Sequence, residues 1–517
     1  MLSSYGFILL RVQAIAMFFC LTCLQPASGQ KSILDSTFTF KAGSVKISQA
    51  LKIITKQSGY NFTYDSRLIN PENRTEMTFI NRKLNVILDS ILKRDSLGYS
   101  VIDKYIIISR LHPETHSAND TLAWNKEIHS ISGVIVDEES DDPLPFATVG
   151  IKSKGKGTVA NNNGEFGLKI SESNIKDTLS VSYLGYIGRE IPVEKALGNN
   201  FTIKMRKEFI SIPEILIRTQ APQEIITKAL DNIPENYGKT PAMLTAFYRE
   251  GVMKKQELQV YSEAILQIYK SAYSGSLLND QIKVLKSRKI ENLGIHDTLA
   301  IRLKAGLSTC MDLDGVRNIF DFISMSSMKE YTYRISDIVS FDEESAYVID
   351  FEQKAGVNFP LFEGTMYINT SDYAILQVDF ELNPKYIRDL KNSFVTSSSK
   401  GFSVWPLTVN YSVSYRKYND RYFLNHVRGD LLFISRKKKQ FFKSQFKVFF
   451  ELAVTDIDLE HVTRFEREEL APMHSVFSRT ITTYDPQFWG NQDFLKPEDN
   501  LLQALKNMKV RLKEFSK

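Results

Sequence analysis

The seven histidines are the first residues to test for chemistry, because imidazole is a common zinc ligand and general base. A catalytic zinc site needs ligands held at a short spacing, as in His-x-x-Glu or His-Glu-x-x-His. Neither pattern surrounds any histidine; they stand at positions 112, 116, 129, 296, 426, 461 and 474. We therefore predict no zinc site and no metallopeptidase activity.

A second motif, at residues 155–160, matches the Gly-x-Gly-x-x-Ala form of the dinucleotide-binding fingerprint. That fingerprint works between a strand and a helix, whose amino terminus holds the pyrophosphate. Here Asn161–Gly164 and another strand-like segment follow, so the motif predicts a hairpin turn. No Walker lysine motif is present, and we predict no cofactor.

The acidic groupings and the candidate nucleophiles are incomplete. Residues 312–315 start like a calcium loop but lack its third acid and closing Glu. The acids within 456–460 could converge on a cation, although they fit a solvated strand face better. Residues 401–405 lack the second glycine of a Gly-x-Ser-x-Gly elbow, and Cys310 has no catalytic pattern beside it. We predict no catalytic or metal-binding residue.

One charged feature could carry a binding function. Residues 401–450 contain ten Lys or Arg and two Asp, whereas residues 451–470 contain seven acids and two Arg. The densest cluster lies between two Phe-rich segments, as a hairpin tip would, and we name it the basic tip: Arg436, Lys437, Lys438, Lys439 and Lys443. The basic tip is either a solvated loop balanced by its acidic neighbour or a contact for anionic lipid headgroups or lipopolysaccharide.

The amino-terminal residues are typical of a secretory signal peptide at 1–29. They contain one charge, Arg11, an apolar run from Ala14 to Leu24, and small residues before a cut at Gln30. Lipoprotein processing is the alternative, but neither cysteine here follows the small residue that such processing prefers. We expect export to the periplasm or outer membrane, with Cys310 as the remaining cysteine. No transmembrane helix is expected, because no later segment approaches about 18 apolar residues.

Length and charge limit the classes of protein that fit. The 517 residues exceed the roughly 100–200 of one domain, so several domains are expected. Lys and Arg total 65 against 60 Asp and Glu, too even a balance to indicate a nucleic-acid-binding protein. The sequence does not indicate an oligomeric state.

Residues 38–110 change twice between strand and helix periodicity. The first half alternates as a strand, has helical spacing over 47–54 that stops at Gly59, and then alternates again. The second half repeats this order, with helical spacing over 84–92. We predict a small α+β domain of two βαβ-type halves, followed by a polar linker at 111–128.

Residues 129–206 contain short strand-like segments separated by turn residues, without a helical stretch. These segments are 131–136, 146–151, 165–170, 178–183, 187–193 and 201–205. Such a pattern predicts a small two-sheet β-sandwich of immunoglobulin or prealbumin type.

The remaining residues, 223–517, indicate a strand-rich α+β domain that is mostly antiparallel. A helix with apolar positions from Ile225 to Ile233 follows Pro222, and an amphipathic helix is predicted from Pro497 to Lys517. Long strands are predicted between them, at 331–339, 346–352, 364–368, 374–382, 408–415, 422–434 and 441–456.

The first predicted domain carries a pattern of moderate specificity: Ala50-Leu51 with Ile54, Gly59–Tyr64, Asn85–Asp89 and Ile106–Ile108. In these residues it resembles the short N-terminal domain shared by secretins and TonB-dependent receptors. The resemblance implies a module that docks other envelope proteins.

The predicted sandwich carries a sharper pattern: Gly133–Asp137, Pro143–Val149, Gly157–Ala160, Asn163–Phe166 and Leu179–Tyr186. In these residues it resembles the carboxypeptidase-like regulatory domain, although Ala160-Asn161 replaces the usual Thr-Asp. We assign turn or edge roles to a set of glycines and prolines: Gly133, Pro143, Pro145, Gly157, Gly164 and Gly185.

This domain order is similar to the start of nutrient-importing outer-membrane receptors of Bacteroidetes. Only 295 residues of the 517 follow residue 222, too few for the plug and large barrel of such a receptor, so we do not expect receptor function. Residues 221–250 and 484–489 look instead like exported Bacteroidetes proteins that carry the same sandwich. That resemblance implies no reaction.

Three functional hypotheses remain. We favour a non-catalytic envelope protein that binds other envelope proteins or a ligand at the periplasmic face of the outer membrane. A lipid or lipoprotein carrier is the first alternative, because residues 363–369 and 373–376 look like a strand pair of lipoprotein-carrier half-barrels, which need an apolar cavity. A hydrolase, with acids of the C-terminal domain that meet only on folding, is the second.

Overall fold

The computed structural model divides the chain into two compact units, Met1–Leu122 and Ala123–Phe515. The described residues are 33–64, 73–92, 97–102, 105–110, 128–208, 221–254, 257–276, 278–291, 302–303, 306–342, 344–391, 393–397, 402–437, 443–471 and 496. The predicted signal peptide, the predicted linker except its last residue, and the predicted final helix lie outside these residues. No helix in the described ranges is long and apolar enough to cross a membrane.

The first unit has the order of strands and helices that its periodicity predicts. Its elements are β1 (Thr37–Lys46), α1 (Ile47–Ser58), β2 (Asn61–Tyr64), β3 (Arg74–Lys83), α2 (Leu84–Leu92), β4 (Leu97–Ile102) and β5 (Tyr105–Arg110). Helix α1 ends where Gly59 adopts a left-handed conformation, and the Gly59 N–H donates to the Thr55 carbonyl. The apolar faces of α1 and α2 share one core, through residues such as Ile54 and Ile87.

The strands of this unit pair differently from those of a βαβ unit, in which the flanking strands lie parallel in one sheet. Strand β1 pairs antiparallel with β3, whereas β2 lies parallel to β5, which also pairs antiparallel with β4. The prediction of two βαβ-type halves is therefore wrong in its pairing. Periodicity identifies each element but does not identify its partner.

The second unit begins with the predicted two-sheet sandwich. Its elements are β6 (Ile128–Asp137), β7 (Thr148–Ile151), β8 (Gly157–Val159), β9 (Glu165–Ser171), β10 (Thr178–Ser182), β11 (Tyr186–Ile187), β12 (Arg189–Pro192), α3 (Val193–Ala196) and β13 (Gly198–Met205). Strands β12, β10, β7 and β8 form one sheet, and β13, β6 and β9 form the other. Side chains alternate in burial along β9, and Phe166 packs with Ile131 and Val181 between the sheets.

The structure describes the backbone at four of the residues to which we assigned turn or edge roles. Gly164 and Gly185 have positive φ angles of 71° and 82°. Pro143 forms an isolated antiparallel bridge at an extended edge. Pro145 lies in a turn whose next residue, Phe146, has a φ of 63°, which is unusual for a bulky side chain.

Gly133 and Gly157 are strand residues, which corrects the prediction of turns at both positions. A Cβ atom on Gly133 would lie 1.9 Å from the Phe201 carbonyl oxygen on the neighbouring strand. A Cβ atom on Gly157 would lie 2.2 Å from the Arg416 guanidinium. Both positions need glycine for close approach, and sequence spacing does not distinguish that need from a turn.

The rest of the second unit is built on one large sheet. Its helices are α4 (Pro222–Asp231), α5 (Ile233–Asn236) and α6 (Leu307–Asp312). Its strands are β14 (Ala242–Lys254), β15 (Glu257–Lys270), β16 (Gln281–Glu291), β17 (Arg302–Leu303), β18 (Tyr331–Asp342), β19 (Glu344–Gln353), β20 (Phe362–Asn369), β21 (Ile375–Leu382), β22 (Val395–Ser397), β23 (Phe402–Tyr418), β24 (Arg421–Lys437) and β25 (Ser444–Asp458). The sheet order is β11-β18-β19-β20-β21-β23-β24-β25-β14-β15-β16, and β17 pairs with β22.

Neighbouring strands of this sheet are antiparallel, except that β11 of the sandwich lies parallel to β18. Each strand predicted from 331 to 456 overlaps one strand of this sheet, although β21 begins at Ile375 and β25 at Ser444. The helix predicted over Ile225–Ile233 is instead broken into α4 and α5 at Asn232, because Pro234 is tolerated only at the start of a helix. Strands β14, β15 and β16 were not predicted.

The long run of buried residues in β14 explains why its strand pattern is weak. Nine of its thirteen positions are buried, so polar residues do not alternate with apolar ones. One face packs on the core formed with α4 and α6, as Leu244 and Tyr248 do. On the other face, Phe247 packs with Ile265 of β15 and with Val159 of the sandwich. A strand covered on both faces loses the period-two signal.

The turn of the Gly-x-Gly-x-x-Ala motif docks the sandwich on the sheet. An Arg416 amino group donates to the Gly155 carbonyl at 2.6 Å, and a Cβ atom on Gly155 would lie 2.1 Å from the Ile457 carbonyl oxygen. Asn425 Nδ2 also donates to Thr148 Oγ1 at 3.0 Å. The motif begins in the connection between β7 and β8 and continues along β8, and its glycines serve close packing between the sandwich and the sheet.

We expect Gly155→Ala to destabilise the second unit by about 1–3 kcal/mol, because the methyl group would collide with backbone rather than with a flexible side chain. Urea unfolding measures the effect. Gly167→Ala is the matched control, since its Cβ would meet no atom closer than 3.9 Å. Equal unfolding midpoints for the two variants would contradict the docking role of Gly155.

Candidate functional site

A pocket forms at the end of the hairpin that β23 makes with β24. The register places Trp405 directly opposite Ile434, and Ser403 opposite Arg436. Cross-strand partners in an antiparallel pair project from the same face of the sheet. The pairing therefore brings an indole, an aliphatic side chain and a guanidinium together.

A short 3-10 turn, Ile387–Leu390, forms another wall of the pocket. It carries Arg388, and Lys391 follows it with its Nζ atom 5.1 Å from the centre of the Trp405 ring. The Arg436 guanidinium lies 5.9 Å from the same centre. The pocket has a volume of about 230 Å³ and is lined by Arg388, Trp405, Leu407, Ile434, Arg436 and Lys443.

The chemistry of this site, which we name the tip pocket, is cationic and partly apolar. Arg388, Lys391, Arg436 and Lys443 are exposed, while Trp405 is half-buried. Within the described residues, none of these four cations pairs with a carboxylate. Such a site can bind an anion and place an apolar group against the indole.

The tip pocket contains part of the basic tip predicted from sequence. Ser435 pairs with Ser444, so the segment between them is the predicted hairpin connection. Arg436 and Lys443 both line the pocket. The backbone of Lys437 ends β24, while its side chain, Lys438 and Lys439 lie outside what the structure describes.

Sequence reasoning missed Arg388, Lys391 and Trp405 as site residues. Trp405 belongs to an alternating strand, and its neighbours gave no sign of a binding role. The two cations precede β23 by more than ten residues and reach the pocket only because the turn packs beside that strand. The sequence carries no local signal that joins Trp405 to the basic tip, which begins 31 residues later.

A second group of charges forms a row across five neighbouring strands, and we name it the charged row. The register places Arg428, Glu451, Arg249, Glu263 and Arg288 opposite one another in turn, on β24, β25, β14, β15 and β16. The signs alternate along the row. The row of polar residues continues in register as far as β18. Its further members are Ser412, Asp379, Thr365, Asp350 and Arg334.

Glu451 is the centre of the charged row and is fully buried. Arg249 Nε donates to its carboxylate at 2.7 Å, and His426 Nε2 lies 2.8 Å from the other oxygen. Burial alone would raise the pKa of Glu451, but attraction to Arg249 and Arg428 outweighs burial and holds that pKa well below its usual range. The group is a structural anion with fixed partners.

The sandwich closes over this group through Phe146. The Phe146 ring stacks on His426 at a centroid distance of 5.1 Å, and the Arg428 guanidinium lies 5.1 Å from the ring centre. The strained φ of Phe146 directs a residue of the sandwich toward the sheet. Of the described histidines, His426 is thus a buried partner of Glu451 rather than a metal ligand.

The incomplete calcium loop has a different electrostatic role. Lys270 Nζ lies 2.6 Å from Asp314 and 2.5 Å from Asp280, in a buried site. Tyr415 donates its hydroxyl hydrogen to Asp314 Oδ1 at 3.0 Å. Asp314, which we predicted to belong to a turn, therefore pairs with the buried ammonium group of Lys270.

The other sites considered in the sequence have ordinary structural roles. Asp458 Oδ1 accepts backbone hydrogen bonds from Glu460 and His461, so it closes the turn after β25. Cys310 is buried in α6, and burial raises the pKa of its thiol well above the usual value. Within the described ranges, no three His, Cys, Asp or Glu side chains are grouped so that they could hold a metal ion.

A comparison with models of protein families gives a match in the sandwich. Residues 131–217 match the family model described as the CarboxypepD_reg-like domain. This match confirms the resemblance predicted for the sandwich from its sequence pattern. The search of curated proteins found no match.

Three solved structures show distant similarity. A LolA superfamily protein from Nitrosomonas europaea has 10% identity and a TM-score of 0.20, over 47% of this chain and 96% of that one. A DUF1329 family protein from Desulfovibrio piger has 10% identity and a TM-score of 0.21, over 48% and 97%. A lipovitellin structure concerned with lipid–protein interactions has 7% identity and a TM-score of 0.21, over 45% and 27%.

We expect Glu451→Gln to lower the free energy of unfolding of the second unit by about 3 kcal/mol at pH 7, because it removes the buried negative charge that pairs with both Arg249 and Arg428. The pKa of Glu451 is lowered on folding, so its stabilisation is complete above pH 4.5 and is lost as the pH falls further. The difference in the free energy of unfolding between the wild type and the variant should therefore become smaller below pH 4.5.

Urea unfolding at pH 7 and at pH 3.5 measures how the difference in the free energy of unfolding changes with pH. Glu460→Gln is the control, because Glu460 is exposed and lies beyond the end of β25. A difference for Glu451→Gln that stays constant with pH would refute a charge-based role for this carboxylate.

Proposed function

We propose that this protein is a non-catalytic, exported component of the cell envelope that binds anionic lipid headgroups through the tip pocket. The single observation that supports the proposal is the pocket itself. It combines four cations, Arg388, Lys391, Arg436 and Lys443, with the indole of Trp405. A headgroup is anionic and continues into an apolar chain, so it can use both parts of the pocket.

The position of the pocket supports a surface role rather than an internal one. Its cations are exposed, and it lies at the end of a long hairpin instead of within the core. Lysine and arginine near an anionic leaflet each contribute about 1 kcal/mol of attraction. Tryptophan is favoured at a membrane interface because its ring is apolar and its N–H is polar.

Partners among envelope proteins are a further part of this proposal. They rest on the resemblance of residues 38–110 to the short N-terminal domain of secretins and TonB-dependent receptors, which stays a prediction. The sandwich is less suited to a free docking role, because its strand β11 is already paired with β18.

The carrier alternative requires an apolar cavity between the sheet and its covering segments. In the described part of that space, aromatic side chains of the chain pack against one another. Phe322 is fully buried, with its ring 4.2 Å from that of Phe351 and 5.2 Å from that of Phe380. This packing favours a surface site over an enclosed lipid chamber.

The hydrolase alternative requires acids that meet beside an open pocket. Two of the buried acids have fixed cations: Glu451 pairs with Arg249, and Asp314 pairs with Lys270. The described lining residues of the tip pocket are cations and apolar groups, without a carboxylate or histidine among them. The chemistry of the described site therefore favours binding.

We expect the double substitution Arg436→Gln and Lys443→Gln to weaken binding to phosphatidylglycerol vesicles about tenfold, because two charges near the surface are lost. Vesicle co-sedimentation at low salt measures the affinity. Lys417→Gln is the matched control, since Lys417 is an exposed cation near the opposite end of β23.

The proposal also requires that the protein bind only weakly to vesicles of zwitterionic phosphatidylcholine. Added salt should reduce its binding to the anionic vesicles. Unchanged affinity in the double variant, with wild-type folding in circular dichroism, would refute the proposed site.

A further inference from the structure

We propose that the tip pocket selects a phosphate monoester headgroup with two negative charges over a headgroup with one. This inference rests on the proposed function and specifies its ligand. The chemical class is a membrane lipid that ends in a terminal phosphate, as phosphatidic acid does.

The first step is the charge balance of the pocket. Arg388, Arg436 and Lys443 line it, and Lys391 stands over the Trp405 ring that they surround. Asp389 is the acidic neighbour of Arg388 in the same turn and is exposed. Among the described residues, these four cations and one carboxylate leave a surplus of three positive charges, which a single negative charge balances only in part.

The second step is the geometry of the donors. Guanidinium groups present paired N–H donors that match two oxygens of one phosphate, whereas an ammonium acts as a point charge. Arg388 and Arg436 come from different elements, a 3-10 turn and the end of β24, and both line the pocket. A terminal phosphate offers three free oxygens, so it can meet both guanidiniums and Lys443 together.

The third step separates a lipid from free phosphate. Leu407 and Ile434 line the same pocket as the cations, and Trp405 is half-buried there. Inorganic phosphate gains nothing from these apolar side chains. A phosphate ester places its glycerol and first methylene groups against them, which adds the burial of apolar surface to the charge interaction.

The experiment compares phosphatidic acid with phosphatidylglycerol in phosphatidylcholine vesicles matched for surface potential. The second pKa of a phosphate monoester is near 6, so its charge approaches −2 at pH 7.5 and −1 at pH 5. We expect the full-length protein to bind phosphatidic acid about fivefold more tightly than phosphatidylglycerol at pH 7.5 and about equally at pH 5. Lysine and arginine stay protonated at both pH values, and an ordinary aspartate stays ionised.

The variant Arg388→Gln should remove the preference at pH 7.5 while retaining much of the general attraction to anionic vesicles. Lys417→Gln should leave the preference unchanged. Inorganic phosphate at millimolar concentration should compete poorly with phosphatidic acid vesicles. Strong competition would show that the pocket recognises free phosphate and would overturn the lipid assignment.

The outcomes separate this inference from the proposed function. If neither anionic lipid binds, the proposed function fails and the inference fails with it. If both lipids bind equally at pH 7.5, the proposed function stands and the selectivity for two charges is refuted.

Discussion

A carboxylate that is removed from water requires compensating positive charges. In the second unit, the buried carboxylate of Glu451 has such charges on the neighbouring strands, and the sheet is built around it. Glu451 lies on β25 between Arg428 of β24 and Arg249 of β14, directly opposite both in the register. Separation of any of these strands would leave a buried charge without a partner, which costs several kcal/mol. Phe146 then covers the group from the sandwich side, so the same contact holds two predicted domains together.

The tip pocket depends on the same strand. Along β24, His426 and Arg428 face the charged row, and the alternation of a strand places Ile434 and Arg436 on that same face. The intervening residues, such as Phe433, point into the core on the opposite face. A shift of one residue in the pairing would bury Arg436 and expose Phe433. The register that balances Glu451 thus also sets the composition of the pocket.

Much of the local structure follows from residue patterns. Helix α1 and its end at Gly59, most of the sandwich strands, and the long strands from β18 to β25 were predictable from periodicity and turn residues, whereas the short β8 and β22 were not. Strand β14 was not, because burial on both faces removes alternation. The site was predictable only for Arg436 and Lys443, which a charge cluster marks. Glu451 could have been suspected, since it interrupts the apolar run from Phe449 to Val454, a position where a charge needs buried partners.

The sequence by itself determined the kinds of elements, the sandwich with its CarboxypepD_reg-like pattern, and the lack of spaced zinc or nucleotide motifs. Those features depend on neighbours within a few residues, where periods of two and 3.6 are visible. Tertiary structure alone decided the pairing in the first unit, the charged row, and the meeting of Arg388 with Trp405. Each of these joins residues from different strands or turns, and the register and packing that bring them together leave no local period in the chain.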